Sequence, residues 1–219
     1  KGPPGTGKTT LAKNGFAKCL LDEHKQPRPI SFIPLGGSAG GSLLEGHGYT
    51  YMGSTWGQII DSVMENQCMN PIFYIDELDK VSASDRGREI IGILTHLTDP
   101  SQNTDFTDRY FAGIKFDLSK AIFIFSYNDA SCIDKILRDR INEIKTSSLN
   151  KTDKREVAKT FLIPEILSDT GISPHDVIIP NDIIDFIIET FTYEAGVRKL
   201  KEKLYDILRD INLCQLKGT

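Results

Sequence analysis

A glycine-rich motif at residues 2–9 restricts the possible folds of this chain more than any other feature of its sequence. It reads Gly2-Pro3-Pro4-Gly5-Thr6-Gly7-Lys8-Thr9 and matches the pattern GxxxxGK[ST]. In this pattern the glycines let the backbone curl, so that successive N–H groups point at phosphate oxygens. The lysine reaches the β- and γ-phosphates, and the hydroxyl of Thr9 binds Mg²⁺. The motif therefore predicts a phosphate-binding loop that leads through Thr10 into a helix; the alternative is a glycine-rich turn with a solvated lysine.

A phosphate-binding loop of this kind normally follows a buried parallel strand, and only Lys1 precedes Gly2. Loss of such a strand would remove several buried apolar side chains, each worth roughly 1.5–3 kcal/mol. We therefore expect the first strand to lie upstream, and the chain to be an excerpt of a longer polypeptide.

A second candidate segment is an apolar run that ends in two acids. Residues 71–77 read Pro-Ile-Phe-Tyr-Ile-Asp-Glu, and their β-branched and aromatic content is typical of a strand. Ligands bind at the carboxyl ends of the strands in α/β sheets. Asp76 is therefore the candidate carboxylate on the Mg²⁺ side, and Glu77 the candidate base that orients or deprotonates an attacking water. Taken alone, such a run could equally end at the surface without a catalytic role.

Polar residues also follow the next strand-like run, at 121–125. Asn128 could hydrogen-bond the attacking water or the γ-phosphate, although an isolated asparagine in a turn is often only a turn former. Arg138 and Arg140 precede another strand-like run, at 141–144. One of these arginines could stabilise charge on the nucleotide of a neighbouring subunit.

The order of these segments resembles that of AAA+ ATPases, and further segments resemble the ATPase module of the Lon protease family. The matching segments are GHGYTYMG at 46–53, DELDKV at 76–81, DPSQN at 99–103, FDLSK at 116–120, LRDR at 137–140 and EAGVR at 194–198. They follow the family's order and cover nearly the whole chain. The resemblance implies a motor that hydrolyses ATP and unfolds and translocates proteins for an ATP-dependent serine protease. The family's Ser-Lys protease dyad would lie downstream of Thr219.

The resemblance also implies roles for individual residues. Arg140 matches the family's trans-acting arginine finger, Arg198 the second sensor in a helical lid, and Asn128 the first sensor. Tyr51 and Met52 match the pair that grips the substrate polypeptide in a central pore. Independently of the family, an aromatic residue beside methionine on a glycine-flanked loop offers a contact surface that tolerates many sequences. The alternative is that Tyr51 packs into the core.

The segment between Leu35 and Glu45 departs from the family. It is rich in glycine and serine, where the family usually carries a more charged segment. Residues 36–40 also fit GxSxG, the nucleophile elbow of α/β-hydrolases, but the Gly-Gly-Ser that follows is a poor start for a helix. We therefore interpret this segment as a flexible loop, and we expect a second pore loop at residues 82–87.

The patterns together predict an α/β fold: a doubly wound parallel sheet with a P-loop, as in the AAA+ core, followed by a small all-helical lid. Apolar stripes at helical spacing mark the second part, one within 184–191 and another within 197–211. The chain becomes polar near 147–152. We therefore place the α/β core at residues 1–148, with its first strand missing, and the lid at residues 149–219.

The composition argues against several other classes of protein. The net charge is −4 and no block of Lys or Arg occurs, which argues against nucleic acid or an anionic membrane as partner. The four cysteines form no CxxC pair, so we expect no structural zinc site. No apolar run approaches the roughly 18 residues of a membrane span. We expect an intracellular protein of the cytoplasm or the mitochondrial matrix.

The expected cofactors are ATP or ADP with Mg²⁺. The expected partners are an unfolded or degradation-tagged polypeptide and, through the resemblance, identical subunits in a hexameric ring. A fragment without its flanks could be a monomer. Two alternatives stay open: an AAA+ motor or loader that acts on nucleic acid, and a nucleotide-binding scaffold with little turnover.

Overall fold

The computed structural model of the chain describes residues 1–21, 25–37, 40–50, 52–81 and 84–217, with the backbone alone for residue 215. The chain divides into two units. The first comprises Lys1 and Lys8–Ile144, and the second comprises Gly2–Gly7 and Lys145–Thr219. The predicted domain division after residue 148 stays a prediction.

The first unit is built around a parallel sheet. The strands in the described residues are β1 (Ile30–Pro34), β2 (Ile72–Asp76), β3 (Phe106–Thr107), β4 (Lys115–Phe116) and β5 (Ile122–Phe125). The sheet has the order β1-β2-β5, and all its pairings are parallel, whereas β3 and β4 form a separate antiparallel pair. The first four residues of β2 are buried, as its continuous apolar run predicts for a central parallel strand. Phe73 of β2 stacks on Phe123 of β5, with ring centroids 5.2 Å apart.

Helices of the first unit supply many of the buried residues of its core. They are α1 (8–19), which contains a π-helical segment at Leu11–Phe16, then α2 (Ser42–Glu45), α3 (Gln58–Asn66), α4 (Asp85–Leu97) and α5 (Lys135–Asp139). Apolar residues of α3 and α4 pack with the strands in one core, among them Ile59, Ile60, Ile90, Leu94 and Leu97. The Ser84 hydroxyl accepts a hydrogen bond from the Gly87 amide and so caps α4.

Residues 141–144 form no strand, so the strand predicted there is wrong. Polar side chains at 142 and 143 interrupt the apolar run, and Glu143 Oε2 accepts a hydrogen bond from Tyr127 Oη at 3.0 Å. Ile141 packs against the core of the first unit. The segment therefore follows this core in irregular conformation.

The second unit is helical, with a core of its own. Its helices are α6 (151–170), which contains a π-helical segment at Ala158–Leu162, α7 (Asn181–Phe191) and α8 (Arg198–Lys217). Asn150 and Asp153 form a capping box at the start of α6. The core contains Leu162, Ile166, Ile184, Ile187, Ile188, Leu200, Leu204 and Leu208. The predicted stripes are confirmed at these positions of α7 and α8, whereas Phe191 and Ile207 are exposed.

The helices of the described residues include none that is long and apolar enough to cross a membrane. The same residues contain no group of three or more His, Cys, Asp or Glu side chains that could hold a metal ion by themselves.

Candidate functional site

Two of the predicted site residues meet in the first unit. Lys8 opens α1, and its ammonium donates a hydrogen bond to Asn128 Oδ1 at 2.9 Å. Asn128 lies just beyond the end of β5. The carboxyl ends of parallel strands lie at one edge of a sheet, which is where α/β proteins bind ligands. The structure therefore places the lysine of the phosphate loop against the predicted first sensor.

Thr9, the next residue of α1, contacts the central strand. Its Oγ1 lies 3.2 Å from Tyr74 Oη. Burial raises the pKa of the Tyr74 hydroxyl above its ordinary value, so this group stays neutral. Tyr74 was not predicted as a site residue, because an aromatic residue inside an apolar run is typical of a core. Thr10 follows and is exposed.

The two predicted acids lie at the end of β2: Asp76 is its last residue and Glu77 follows directly. Asp76 is half-buried, and its Oδ1 accepts a hydrogen bond from the Glu77 amide at 2.9 Å. Glu77 is exposed and has φ +58 and ψ 39, which lies in the left-handed region that few non-glycine residues adopt. The Leu78 amide donates to Ser126 O at 3.1 Å and joins this turn to the end of β5. Strained backbone of this kind is typical of functional sites.

Asp79 was not predicted as a site residue, but its carboxylate supports the site. Its Oδ2 accepts hydrogen bonds from the amides of Asn128 and Asp129, each at 3.2 Å. Its Oδ1 is buried and has no hydrogen-bond partner among the described residues. The carboxylate therefore fixes the turn that carries Asn128. The available signal was a third acid shortly after the Asp-Glu pair.

In the second unit, the phosphate loop packs against the segment that leads into α8. Gly5 and Gly7 have φ of +76 and +81, which glycine adopts without strain. The Val197 amide donates to Gly5 O at 3.1 Å. A Cβ added to Gly196 would lie 2.2 Å from the carbonyl carbon of Gly5, so this approach requires glycine. The exposed Arg198 follows directly and lies beside the loop within this unit.

Hydrogen bonds within the second unit also hold the first half of the loop. Thr6 Oγ1 donates to Pro3 O at 2.8 Å and lies 3.0 Å from Thr146 Oγ1. Gly2 is buried, and a Cβ on it would lie 2.0 Å from Thr146 Oγ1. Pro4 is exposed. The loop is thus held in a curve by its own residues and by the chain around position 146.

Arg140, the predicted finger, bonds to residues outside the predicted site. Its Nη1 donates to Thr95 O at 2.9 Å and forms an ion pair with Asp99 Oδ2 at 2.9 Å. The pKa of Asp99 is lowered to about 2, chiefly by hydrogen bonds from the side chain and amide of Ser101, and also by Arg140. Within this single chain the guanidinium therefore lies against the C-terminal end of α4.

Met52, one residue of the predicted substrate-gripping pair, lies on a loop whose base is fixed. Tyr51 is outside the described residues, and Met52 is fully exposed. At the base, the His47 amide donates a hydrogen bond to Thr55 O at 3.0 Å. The Gly57 amide donates one to Oδ2 of the buried Asp108 at 2.8 Å. The two ends of the loop are therefore held together.

Two further predictions fall partly on residues that the structure does not describe. Ser38 and Ala39, the centre of the GxSxG pentapeptide, are outside the described residues, and so are Ser82 and Ala83 of the predicted second pore loop. The later residues of that segment, from Asp85, begin α4.

Comparison with known proteins identifies the family. A family model described as "ATPase family associated with various cellular activities (AAA)" matches residues 1–149, more than half of the chain. The chain belongs to the AAA ATPase family. A second model, the Lon protease AAA+ ATPase lid domain, matches residues 168–219.

Several curated relatives of this AAA chain are Lon proteases. A Lon protease homolog of Acanthamoeba polyphaga mimivirus is 40% identical over 213 residues, which are 97% of this chain and 20% of that protein. The Lon protease of Campylobacter concisus (strain 13826) is 42% identical over 96% of this chain and 25% of its own length. That of Helicobacter pylori (strain ATCC 700392 / 26695) is 41% identical over 99% and 25%. The chain thus spans between 20% and 25% of the length of these relatives.

These matches confirm the predicted resemblance to the ATPase module of the Lon family. They also confirm the predicted fold class, an α/β AAA+ core followed by a helical lid. Membership of the AAA family implies that the chain binds nucleotide. The comparisons give no support to a motor that acts on nucleic acid or to an inactive scaffold. The roles of the individual site residues stay predictions.

Proposed function

We propose that this chain is the ATP-hydrolysing motor of a Lon-like protease, which unfolds and translocates polypeptides within a ring of identical subunits. The observation that carries this proposal is the hydrogen bond between Lys8 and Asn128, at the edge of the sheet where β2 ends in Asp76 and is followed by Glu77. This hydrogen bond brings the Lys8 ammonium, which would bind the phosphates, to the strand ends that are followed by the candidate base Glu77 and the candidate sensor Asn128. The similarity to Lon proteases supports the same function.

We assign the phosphates of ATP to the loop at residues 2–7 and to two basic residues, Lys8 and Arg198. Curved backbone with glycines at positive φ directs N–H groups toward an anion, which fits Gly2–Gly7. The Lys8 ammonium adds the positive charge expected at the β- and γ-phosphates. Arg198 is included because its backbone adjoins Gly5 of the loop and its side chain is exposed.

Thr9 and Asp76 are the residues proposed to hold Mg²⁺. A hydroxyl and a carboxylate offer the hard oxygen ligands that this ion prefers. Asp76 is half-buried at the end of β2 and accepts a hydrogen bond from the Glu77 amide. The donors therefore fit the ion, which when bound would neutralise charge on the β- and γ-phosphates.

Hydrolysis is assigned to three polar side chains. The Glu77 carboxylate would accept a proton from water as the water oxygen attacks the γ-phosphorus, while the bond from that phosphorus to the bridging oxygen of ADP breaks. The Asn128 amide would orient the water or the γ-phosphate. Arg140 would stabilise the transition state on the nucleotide of an adjacent subunit.

Substrate contact is assigned to the loop that carries Tyr51 and Met52. Met52 is fully exposed, and a thioether surface adapts to many side chains. The hydrogen bonds at His47 and Gly57 fix the base of this loop, so a pull on its tip would be transmitted to the first unit.

We expect ATP hydrolysis by the full-length protein to rise when an unfolded protein is added, and Tyr51→Ala to remove that rise. The physical reason is that an aromatic ring offers a large contact surface to many kinds of side chain. Steady-state release of phosphate, with and without an unfolded protein, measures this. The matched control is Tyr49→Ala, which removes an exposed tyrosine from the same loop and should keep the stimulation.

Two results would contradict this assignment. Stimulation by DNA and not by unfolded protein would favour a motor that acts on nucleic acid. Loss of nucleotide binding in the Tyr51→Ala protein would show that this ring packs inside the fold.

A further inference from the structure

The structure assigns Gly36 as a positioning residue for the Glu77 carboxylate. This inference rests on the proposed function, in which Glu77 is the base for hydrolysis. Gly36 belongs to the glycine-rich segment that we interpreted from the sequence as a flexible loop. Because it has no side chain, Gly36 leaves room for the Glu77 carboxylate at the end of the neighbouring strand.

The contact follows from the pairing of β1 with β2. Pro34 is the register partner of Asp76, and the Leu35 amide donates to Asp76 O at 3.0 Å. The two backbone segments therefore still lie side by side beyond the strands, where Gly36 follows β1 and Glu77 follows β2. A Cβ built on Gly36 would lie 1.7 Å from Glu77 Oε2 and 2.9 Å from Glu77 Cδ. The carboxylate thus occupies the volume that any other residue at position 36 would fill.

The backbone of Glu77 is held in place, so it cannot move away from an added Cβ. Its amide donates to Asp76 Oδ1 at 2.9 Å, and its carbonyl accepts the Lys80 amide at 2.9 Å. The Leu78 amide is bonded to Ser126 O at 3.1 Å. The Glu77 side chain, by contrast, is flexible and exposed. A Cβ at position 36 would therefore displace the Glu77 side chain, and the carboxylate is the part that would move.

Space, and not backbone conformation, is what requires glycine here. Gly36 does not have a positive φ, in contrast to its neighbour Gly37 with φ +80. Alanine can therefore adopt the backbone of residue 36, and Gly36→Ala should leave the fold intact. A carboxylate that is displaced by about 1 Å from its working position can lose about 10²-fold in rate. The Gly36→Ala substitution should therefore lower the rate of turnover without changing folding or nucleotide binding.

The test compares Gly36→Ala with Gly92→Ala in the full-length protein. Gly92 lies inside α4, and a Cβ there meets no atom within 4 Å. We expect Gly36→Ala to lower kcat for ATP hydrolysis about 10²-fold, with unchanged Kd for Mg·ATP and unchanged melting temperature. Gly92→Ala should keep kcat. In a Glu77→Gln background, Gly36→Ala should cause no further loss of rate, because the group that it displaces is already inactive.

Each outcome decides between the inference and the function on which it rests. A Gly36→Ala protein with normal kcat, beside an inactive Glu77→Gln protein, overturns the inference alone. A lower melting temperature together with loss of nucleotide binding in the Gly36→Ala protein also overturns the inference, because the added Cβ would then disturb the fold. Normal hydrolysis by the Glu77→Gln protein overturns the proposed role of Glu77 itself.

Discussion

Replacement of Arg140 by alanine is expected to lower kcat for ATP hydrolysis about 10³–10⁵-fold and to leave the affinity for ATP nearly unchanged. An arginine finger stabilises charge that develops on the transferring phosphoryl group, and little of that charge change is present in the ground state. Within the chain, Arg140 is held by Thr95 O and Asp99, so its loss removes no predicted nucleotide contact from its own subunit. Steady-state kinetics and equilibrium binding of Mg·ATP together measure the separation of the two effects.

A control arginine and a mixing experiment make this prediction specific. Arg138→Ala removes a neighbouring arginine of α5 and should keep most of the activity. Proteins with Lys8→Ala and with Arg140→Ala should each be inactive, whereas a mixture should regain hydrolysis at interfaces where an intact site meets an intact finger. If the mixture stays inactive, or if Arg140→Ala alone turns over normally, Arg140 has no catalytic role in trans.

Glu77→Gln is expected to lower kcat about 10²–10⁴-fold, the range for loss of a general base, and to trap bound ATP. Glutamine keeps the size of the side chain but cannot accept the proton of the attacking water. Single-turnover hydrolysis and the fraction of ATP that stays bound measure the result. The control is Glu65→Gln, an exposed carboxylate on α3. If the Glu77→Gln protein hydrolyses ATP at the normal rate, the base lies elsewhere.

The sheet and the helical part of the fold could be predicted from the sequence because their apolar patterns are strong. The run before Asp76 and the run at 121–125 are both parallel strands, as expected for continuous apolar segments between polar ends. The run at 141–144 resembled them but contains polar residues that bond to neighbouring parts of the chain, and it forms no strand. Helices α3 and α4 were not predicted, because their apolar stripes are interspersed with many polar residues.

The candidate site was predictable where one rule applied, namely that the ends of parallel strands lie at one edge. This rule brings Asn128 close to the acids of β2, and the hydrogen bond with Lys8 agrees with it. The contributions of Asp79 and Gly36 depend on side-chain packing at that edge. A carboxylate that orients a turn and a glycine that leaves space have no sequence signature of their own. They can be recognised only in the folded structure.

Equilibrium binding of Mg·ATP by the purified protein tests the central claim most directly. We predict saturable binding by the protein, and an affinity about 10–10²-fold weaker in the Lys8→Ala protein, because a charge-assisted interaction with the phosphates is removed. Absence of binding, or equal affinity in the two proteins, would contradict the assignment of the phosphate loop.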